Sequence, residues 1–351
     1  MAKYSEEMKR GIMAEIAEMR AANQIIPVSG KRFDILATNR GINVVYYEAP
    51  KKNAPLILGF HGGGYAFGGN AMNDAMWSVV AEQLGMNVAS VEYRKSPDYQ
   101  YQAALDDAYD TLIYFQGHAQ EHGFDPSKIL VMGCSAGANL AATLCIYAKQ
   151  KGNWGITQQI LLYPWLDVYT DPDSKGRGSL EGPIMYLFND WHCSHEEAKL
   201  SVVSPVFAQT EELENLPEAV FCMADNDNLK AEGYRYAEML QEAGVKTSVT
   251  KADGMPHGFF ESGFGTISDA EMTFLGEEVL QMVREGIIAK KANRLCPSSK
   301  NVLKICKIKG EKCNARISEH AQPHFALRTP CSGQRGPCYA GRQAVCLWQL
   351  R

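Results

Sequence analysis

Met8, Ile12, Ile16 and Met19 recur at intervals of three and four, the spacing that lines one face of an α-helix, so residues 5–22 are expected to form an amphipathic helix. The apolar segments that follow change character. Phe33–Leu36 and Val44–Tyr47 are short runs of strand composition, and Pro55–Phe60 (PLILGF) and Val88–Tyr93 (VASVEY) are continuous enough to be buried strands. Asp74–Leu84 and Ala103–Phe115 read as helices. The order then continues with strand Ile129–Met132, helix Ala138–Lys149, strands Gln159–Tyr163 and Ala219–Met223, helix Lys230–Ala243 and strand Thr247–Lys251. Strands that alternate with helices need crossover connections, and crossovers build a mostly parallel sheet covered on both faces. The expected class is therefore α/β.

Residues 167–204 interrupt the alternation with Gly, Pro and Asp punctuation around an aromatic cluster, which suits an insertion lying over the sheet, a cap, better than another βα unit. Ser268-Asp269-Ala270-Glu271 has capping-box spacing, and the apolar positions after it predict a closing helix from Asp269 to about Ile288. The folded domain is expected to span residues 1–291. Beyond it the pattern is lost. Residues 292–351 hold 11 Lys/Arg and 2 Asp/Glu, so of the net −5 this tail contributes +9 and residues 1–291 carry −14. Six of the ten cysteines lie in the tail without any C-x-x-C pairing, which argues against a zinc module and for a disordered or non-native extension.

Charge narrows the partners. A net −5 gives no general reason to expect nucleic acid or anionic membrane, and no apolar run reaches membrane-spanning length. The charged opening residues Met1–Arg10 lack the apolar stretch of a secretory signal, so the expected location is cytoplasmic and the expected partner a small molecule.

Three segments carry chemistry. Gly133-Cys134-Ser135-Ala136-Gly137 stands between a predicted strand and a predicted helix. A strained strand-to-helix turn with small flanking residues lifts a serine hydroxyl clear of the backbone beside a helix N-terminus, which makes Ser135 a candidate nucleophile. His61-Gly62-Gly63-Gly64-Tyr65 follows strand Pro55–Phe60 at the same sheet edge. The N–H groups of Gly62, Gly63 and Gly64, with that of Ala136, are candidate donors to the oxyanion of a tetrahedral intermediate. A phosphate loop is the competing reading, but the Lys-Ser/Thr of a P-loop is missing and the spacing is not G-x-G-x-x-G. His257, in Met255-Pro256-His257-Gly258-Phe259, follows the last predicted strand and is the candidate general base. The acid that orients it should lie on the loop after strand Ala219–Met223, where Asp225 and Asp227 both qualify; reach favours Asp227, two residues further along.

With these segments assembled, residues 42–288 resemble the hormone-sensitive-lipase-like (HGGG) family of bacterial esterases, in the α/β-hydrolase superfamily. The resemblance rests on His61–Gly64, Tyr93-Arg94-Lys95-Ser96-Pro97 with Ala103-Ala104-Leu105-Asp106-Asp107, Gly133–Gly137 with Asn139-Leu140-Ala141, Asp227-Asn228-Leu229-Lys230-Ala231-Glu232-Gly233, and His257-Gly258-Phe259. It implies an α/β-hydrolase core, a partly helical cap from residues 1–28 and 167–204, and hydrolysis of short-chain carboxylic esters without metal or organic cofactor. It also favours Asp227 as the acid, since that residue begins the shared D-x-L-x-x-E-G run. The chain departs from the family at Cys134, Ala138 and Asn228, where members usually carry Asp or Thr, Gly, and Pro.

Cys134 has no cationic neighbour in sequence and is expected to be a packed, inert thiol. Tyr65 and Phe259 are expected to line the substrate pocket, with Phe67, Tyr186, Phe188, Trp191 and Phe260 as further aromatic candidates. Two other functions share these residues: an amidase or peptidase with the same triad, and a non-catalytic binding protein on the same fold.

Overall fold

The computed structural model describes residues 5–25, 27–37, 40–180 and 183–261. Helix α1 (Glu6–Ile25) leads into strands β1 (Lys31–Ala37), β2 (Arg40–Tyr47) and β3 (Ala54–Phe60). Then follow α2 (Asp74–Leu84), β4 (Asn87–Val91), α3 (Tyr101–Gly117), the single turn α4 (Ala119–His122), β5 (Phe124–Cys134), α5 (Ala136–Gln150) and β6 (Ile156–Leu162). The chain continues through α6 (Pro183–His192), α7 (Thr210–Leu213), β7 (Glu218–Asn226), α8 (Lys230–Glu242) and β8 (Thr247–Pro256).

The strands form one eight-stranded sheet in the order β1-β2-β4-β3-β5-β6-β7-β8. Only β2 runs against its neighbours; from β4 to β8 every pairing is parallel. This is the α/β-hydrolase architecture expected from the sequence. Its inner strands are apolar on both sides because both sides are covered. On one face Leu105, Leu112, Leu140, Leu144 and Tyr236 pack α3, α5 and α8 against the sheet; on the other, Met76, Trp77 and Val80 of α2 do so. Leu140 and Leu144 are essentially without solvent contact. Truncating either to Ala would cost about 2–5 kcal/mol.

The segment expected as a cap, residues 167–204, lies between two parallel strands. It leaves the sheet after β6 and returns before β7, and it closes on itself where Val168 N–H donates to Ser204 Oγ at 2.9 Å. Helix α1 is held in place as well: Ile16 is buried, and Arg20 Nε donates to Ala66 O at 2.7 Å while its other nitrogens reach Asp98 and Ser96 O. The predicted closing helix and the tail lie outside the described residues. Among the described residues, no helix is long and apolar enough to cross a membrane.

Candidate active site

Ser135 stands at the turn between β5 and α5 with φ 52° and ψ −116°. A non-glycine residue held there stores about 1–3 kcal/mol of backbone strain. The turn is enforced from both ends. Ser135 N–H donates to Leu162 O at 3.0 Å, and Ser135 O accepts from Asn139 N–H at 3.0 Å and Trp165 N–H at 3.3 Å. Its tightness explains the flanking glycines: a Cβ on Gly133 would lie 2.2 Å from the Gly137 carbonyl, and one on Gly137 would lie 2.1 Å from Phe60 O.

The serine hydroxyl lies 2.8 Å from His257 Nε2, and His257 Nδ1 lies 2.7 Å from Asp227 Oδ2. The carboxylate opposite Nδ1 keeps a proton there, so Nε2 is left to accept from the serine. The other oxygen of Asp227 accepts Leu229 N–H at 2.9 Å. Burial pushes the His257 pKa down, but the charge and hydrogen bond of Asp227 push it up by more, with Glu261 adding to them, and the net position is above the ordinary histidine value. Asp225, the alternative acid, points elsewhere. Its side chain is 38% exposed, 3.5 Å from Lys230 and 3.7 Å from Lys251, and it accepts Gly254 N–H at 3.4 Å.

Cap and site are stitched together by Ser179. Its hydroxyl accepts His257 N–H at 2.7 Å and donates to Asn226 O at 2.7 Å, so one side chain bridges the two loops that carry His257 and Asp227. Asn228 continues the seam, accepting Leu180 N–H at 3.1 Å and donating to Gly176 O at 3.0 Å. Lys175 anchors this cap segment to α8 through Glu232 at 2.7 Å, a pair with only 6% and 7% of its side chains exposed.

The loop after β3 is held by its own histidine. His61 Nδ1–H donates to Gly62 O at 2.7 Å, Tyr93 OH donates to His61 O at 2.7 Å, and the two rings stack at 4.3 Å. Burial, then Lys95, pushes the His61 pKa down to about 4, so the ring is neutral at pH 7. Gly63 and Gly64 take φ values of +109° and +59°, conformations glycine adopts without strain. Their N–H groups, and that of Ala136 at the first position of α5, donate to no acceptor among the described residues. The expectation that all three glycines offer N–H groups is narrowed: Gly62 N–H donates to Glu261 Oε1 at 3.0 Å, a partner that sequence reasoning missed.

Two expected pocket residues are placed in the core. Tyr65 OH donates to Asn139 Oδ1 at 2.7 Å and its ring stacks on His192 at 3.9 Å, so its polar end is engaged beneath the cap. Phe259 packs with Phe260 in the α2-side core, 5.4 Å from the ring of Tyr163. The aromatics that do meet the glycine loop include Phe188 of α6 and Phe67: a Cβ on Gly64 would fall 2.3 Å from the Phe188 ring, and one on Gly63 would fall 3.1 Å from that of Phe67. Cys134 is fully buried in the α2-side core, and burial first, then Glu261, pushes its thiol pKa well above the usual range.

The family described as the alpha/beta hydrolase fold matches residues 57–261. The chain is 30% identical over 226 residues to an arylesterase of Saccharolobus solfataricus, covering 62% of this chain and 72% of that protein. It is 28% identical over 250 residues to a carboxylesterase of Mycobacterium tuberculosis, covering 70% and 78%. Among solved structures, an esterase of Pyrobaculum calidifontis superposes with a TM-score of 0.69 at 26% identity, covering 82% of this chain and 95% of that one.

Proposed function

Because this chain belongs to the α/β-hydrolase family, in its hormone-sensitive-lipase-like esterase branch, we propose that it hydrolyses short-chain carboxylic esters through a covalent acyl-enzyme. The observation that carries this reading is the unbroken line from Ser135 Oγ through His257 to Asp227, with contacts of 2.8 and 2.7 Å.

The steps follow from the geometry. As Ser135 Oγ attacks the ester carbonyl, its proton passes to His257 Nε2, and Asp227 stabilises the imidazolium through Nδ1. The carbonyl oxygen becomes negative beside the N–H groups of Gly63, Gly64 and Ala136, whose unspent donors are fixed before the charge arrives. Collapse of the intermediate expels the alcohol, which takes the proton from Nε2. A water then attacks the acyl carbon while losing its proton to the same nitrogen, which passes it to Ser135 Oγ as the bond to the acyl group breaks and the acid leaves. No step requires a metal or organic cofactor.

Phe188 supports a short acyl group, since its ring lies against Gly64 and takes up space beside that proposed oxyanion donor. The test is hydrolysis of p-nitrophenyl esters from acetyl to dodecanoyl beside matched anilides, for the native protein and Ser135→Ala. We expect a maximum between acetyl and hexanoyl, far weaker anilide turnover, and loss of essentially all activity in the variant. Turnover retained by Ser135→Ala would overturn the mechanism, and anilides matching the esters would make the protein an amidase.

A further inference from the structure

Gly62 poses a question that ester hydrolysis leaves unanswered. It is a glycine in the proposed oxyanion loop, yet its φ is not positive and its N–H is engaged by Glu261. A Cβ at this position would lie 2.7 Å from Glu261 Oε2 and 3.0 Å from Oε1. The missing side chain is therefore the room in which the carboxylate sits.

That carboxylate is well held. Oε1 accepts Gly62 N–H at 3.0 Å and Asn73 Nδ2 at 3.1 Å, and Oε2 lies 3.5 Å from Tyr163 OH. Tyr163 OH in turn accepts Glu261 N–H at 3.3 Å, and the ring of Tyr163 stands edge-on to His257 at 5.1 Å. Glu261 lies four residues beyond the general base, so a single short segment carries both His257 and the anchor of the loop opposite.

The consequence follows from peptide geometry, because the C=O and N–H of one trans peptide point in opposite directions. The peptide joining His61 to Gly62 is pinned at both ends, its C=O by Tyr93 OH and its N–H by Glu261. The next peptide is pinned at its C=O by His61 Nδ1–H. Its other end, the Gly63 N–H, must then face away from that histidine, and neither peptide can rotate without breaking a buried hydrogen bond.

We propose that Glu261 is a positioning residue for the oxyanion hole: by holding Gly62 N–H together with Asn73, it fixes the direction of the Gly63 and Gly64 donors. The proposal rests on the ester-hydrolase reading and adds to it a residue that never touches substrate. A residue that fixes transition-state donors should act on kcat and not on KM, because the carbonyl of bound substrate needs those donors less than the oxyanion does. Losing one such donor outright costs about 10²–10³ in turnover, and loosening the set should cost about 10–100-fold.

The experiment compares Glu261→Ala, Glu261→Asp and Glu261→Gln with the native protein. Each is measured for kcat and KM on p-nitrophenyl acetate, for inhibition by a trifluoromethyl ketone that forms an oxyanion on the serine, and for thermal unfolding. Glu261→Gln keeps an oxygen where Oε1 stands and should remain within about fivefold of native. Glu261→Asp keeps the charge but withdraws it by one methylene. It should resemble Glu261→Ala, with kcat down about 10–100-fold, KM little changed, and ketone affinity down in proportion. If Glu261→Ala fails to fold, the contrast between Asp and Gln still decides.

Native kcat and ketone affinity in the Ala or Asp variant would overturn the proposal. So would a Gln variant as impaired as Ala, since charge and not position would then be what matters. A native protein inert to both p-nitrophenyl acetate and a serine-directed phosphonate would instead sink the ester-hydrolase reading itself.

Discussion

Replacing Asp227 by Asn changes no shape and reverses one hydrogen bond. In one orientation the new NH2 faces His257 Nδ1, which must then accept; the ring proton moves to Nε2, and Nε2 donates to Ser135 Oγ where it should take a proton. In the other orientation the NH2 faces Leu229 N–H, which the native carboxylate accepts at 2.9 Å, and two donors are buried against each other. An unmatched buried pair costs about 1–3 kcal/mol, so the first orientation prevails. The same exchange in a serine protease lowers turnover about 10⁴-fold, equivalent to about 5.5 kcal/mol of transition-state stabilisation. We expect that loss here, because only 1% of either side chain is exposed and no water can substitute for the acceptor. Asp225→Asn is the control: its partners Lys230 and Lys251 are themselves about two-fifths exposed, and such pairs contribute about 0–1 kcal/mol. The assay is kcat at saturating p-nitrophenyl acetate for both variants, with thermal unfolding to establish that each is folded. Asp227→Asn within tenfold of native, or Asp225→Asn as the more damaged variant, would refute the assignment.

Lys175→Met should lower stability by about 3 kcal/mol at pH 8, because Glu232 would be left buried with only the N–H groups of Leu166 and Asp167 as partners. The loss should shrink toward pH 5. Burial has already raised the Glu232 pKa from 4.5 to about 7, so its favourable contribution is full below about 4.5 and is lost as the pH rises through about 7. Calorimetry at the two pH values reads the difference, and equal losses at both would contradict it. The acid limb of kcat/KM should fall above the ordinary histidine value of 6.5, since the raised His257 must lose its proton before it can act. A limb below 6.5 would show that the burial of His257 outweighs Asp227.

Much of this was legible in the residue pattern because the pattern and the packing share a cause. Val88, Ala89 and Val91 face helices on alternate sides of the sheet, so the run stays apolar apart from the fully buried Ser90 and the buried strand reads directly. The serine turn is equally legible, since its two glycines stand at fixed spacing about the serine, Gly133 required by contact within the turn and Gly137 by the close approach of β3. That Asp227 and not Asp225 meets His257 follows from reach along the chain: β7 runs to Asn226, so Asp227 is the first residue free of the ladder. What stayed hidden depends on distant partners. Glu261 meets Gly62 across 199 positions, and Ser179 meets His257 across 78, with no local pattern to mark either. The core packing of Tyr65 and Phe259 was hidden for a related reason, because an aromatic after a glycine loop or beside His257 looks the same in sequence whether it turns toward substrate or toward core. Boundaries slipped where polar residues interrupt a ladder, as in β5, where Phe124 pairs with Ala54 and Asp125–Lys128 separate it from the apolar part of the strand.

The bridge made by Ser179 has a bearing on how such an enzyme can diversify. Caps are commonly regarded as exchangeable modules, grafted onto a conserved engine to change which substrate enters. Here one hydroxyl of the insertion holds the backbone of His257, the proposed general base, and the backbone beside Asp227, its proposed acid. A grafted loop lacking an equivalent hydroxyl would alter selectivity and, in the same step, unsettle the proton relay. On the proposed roles of His257 and Asp227, substrate range and catalytic power would be inherited together, and a successful change of cap would have to bring its own replacement for Ser179.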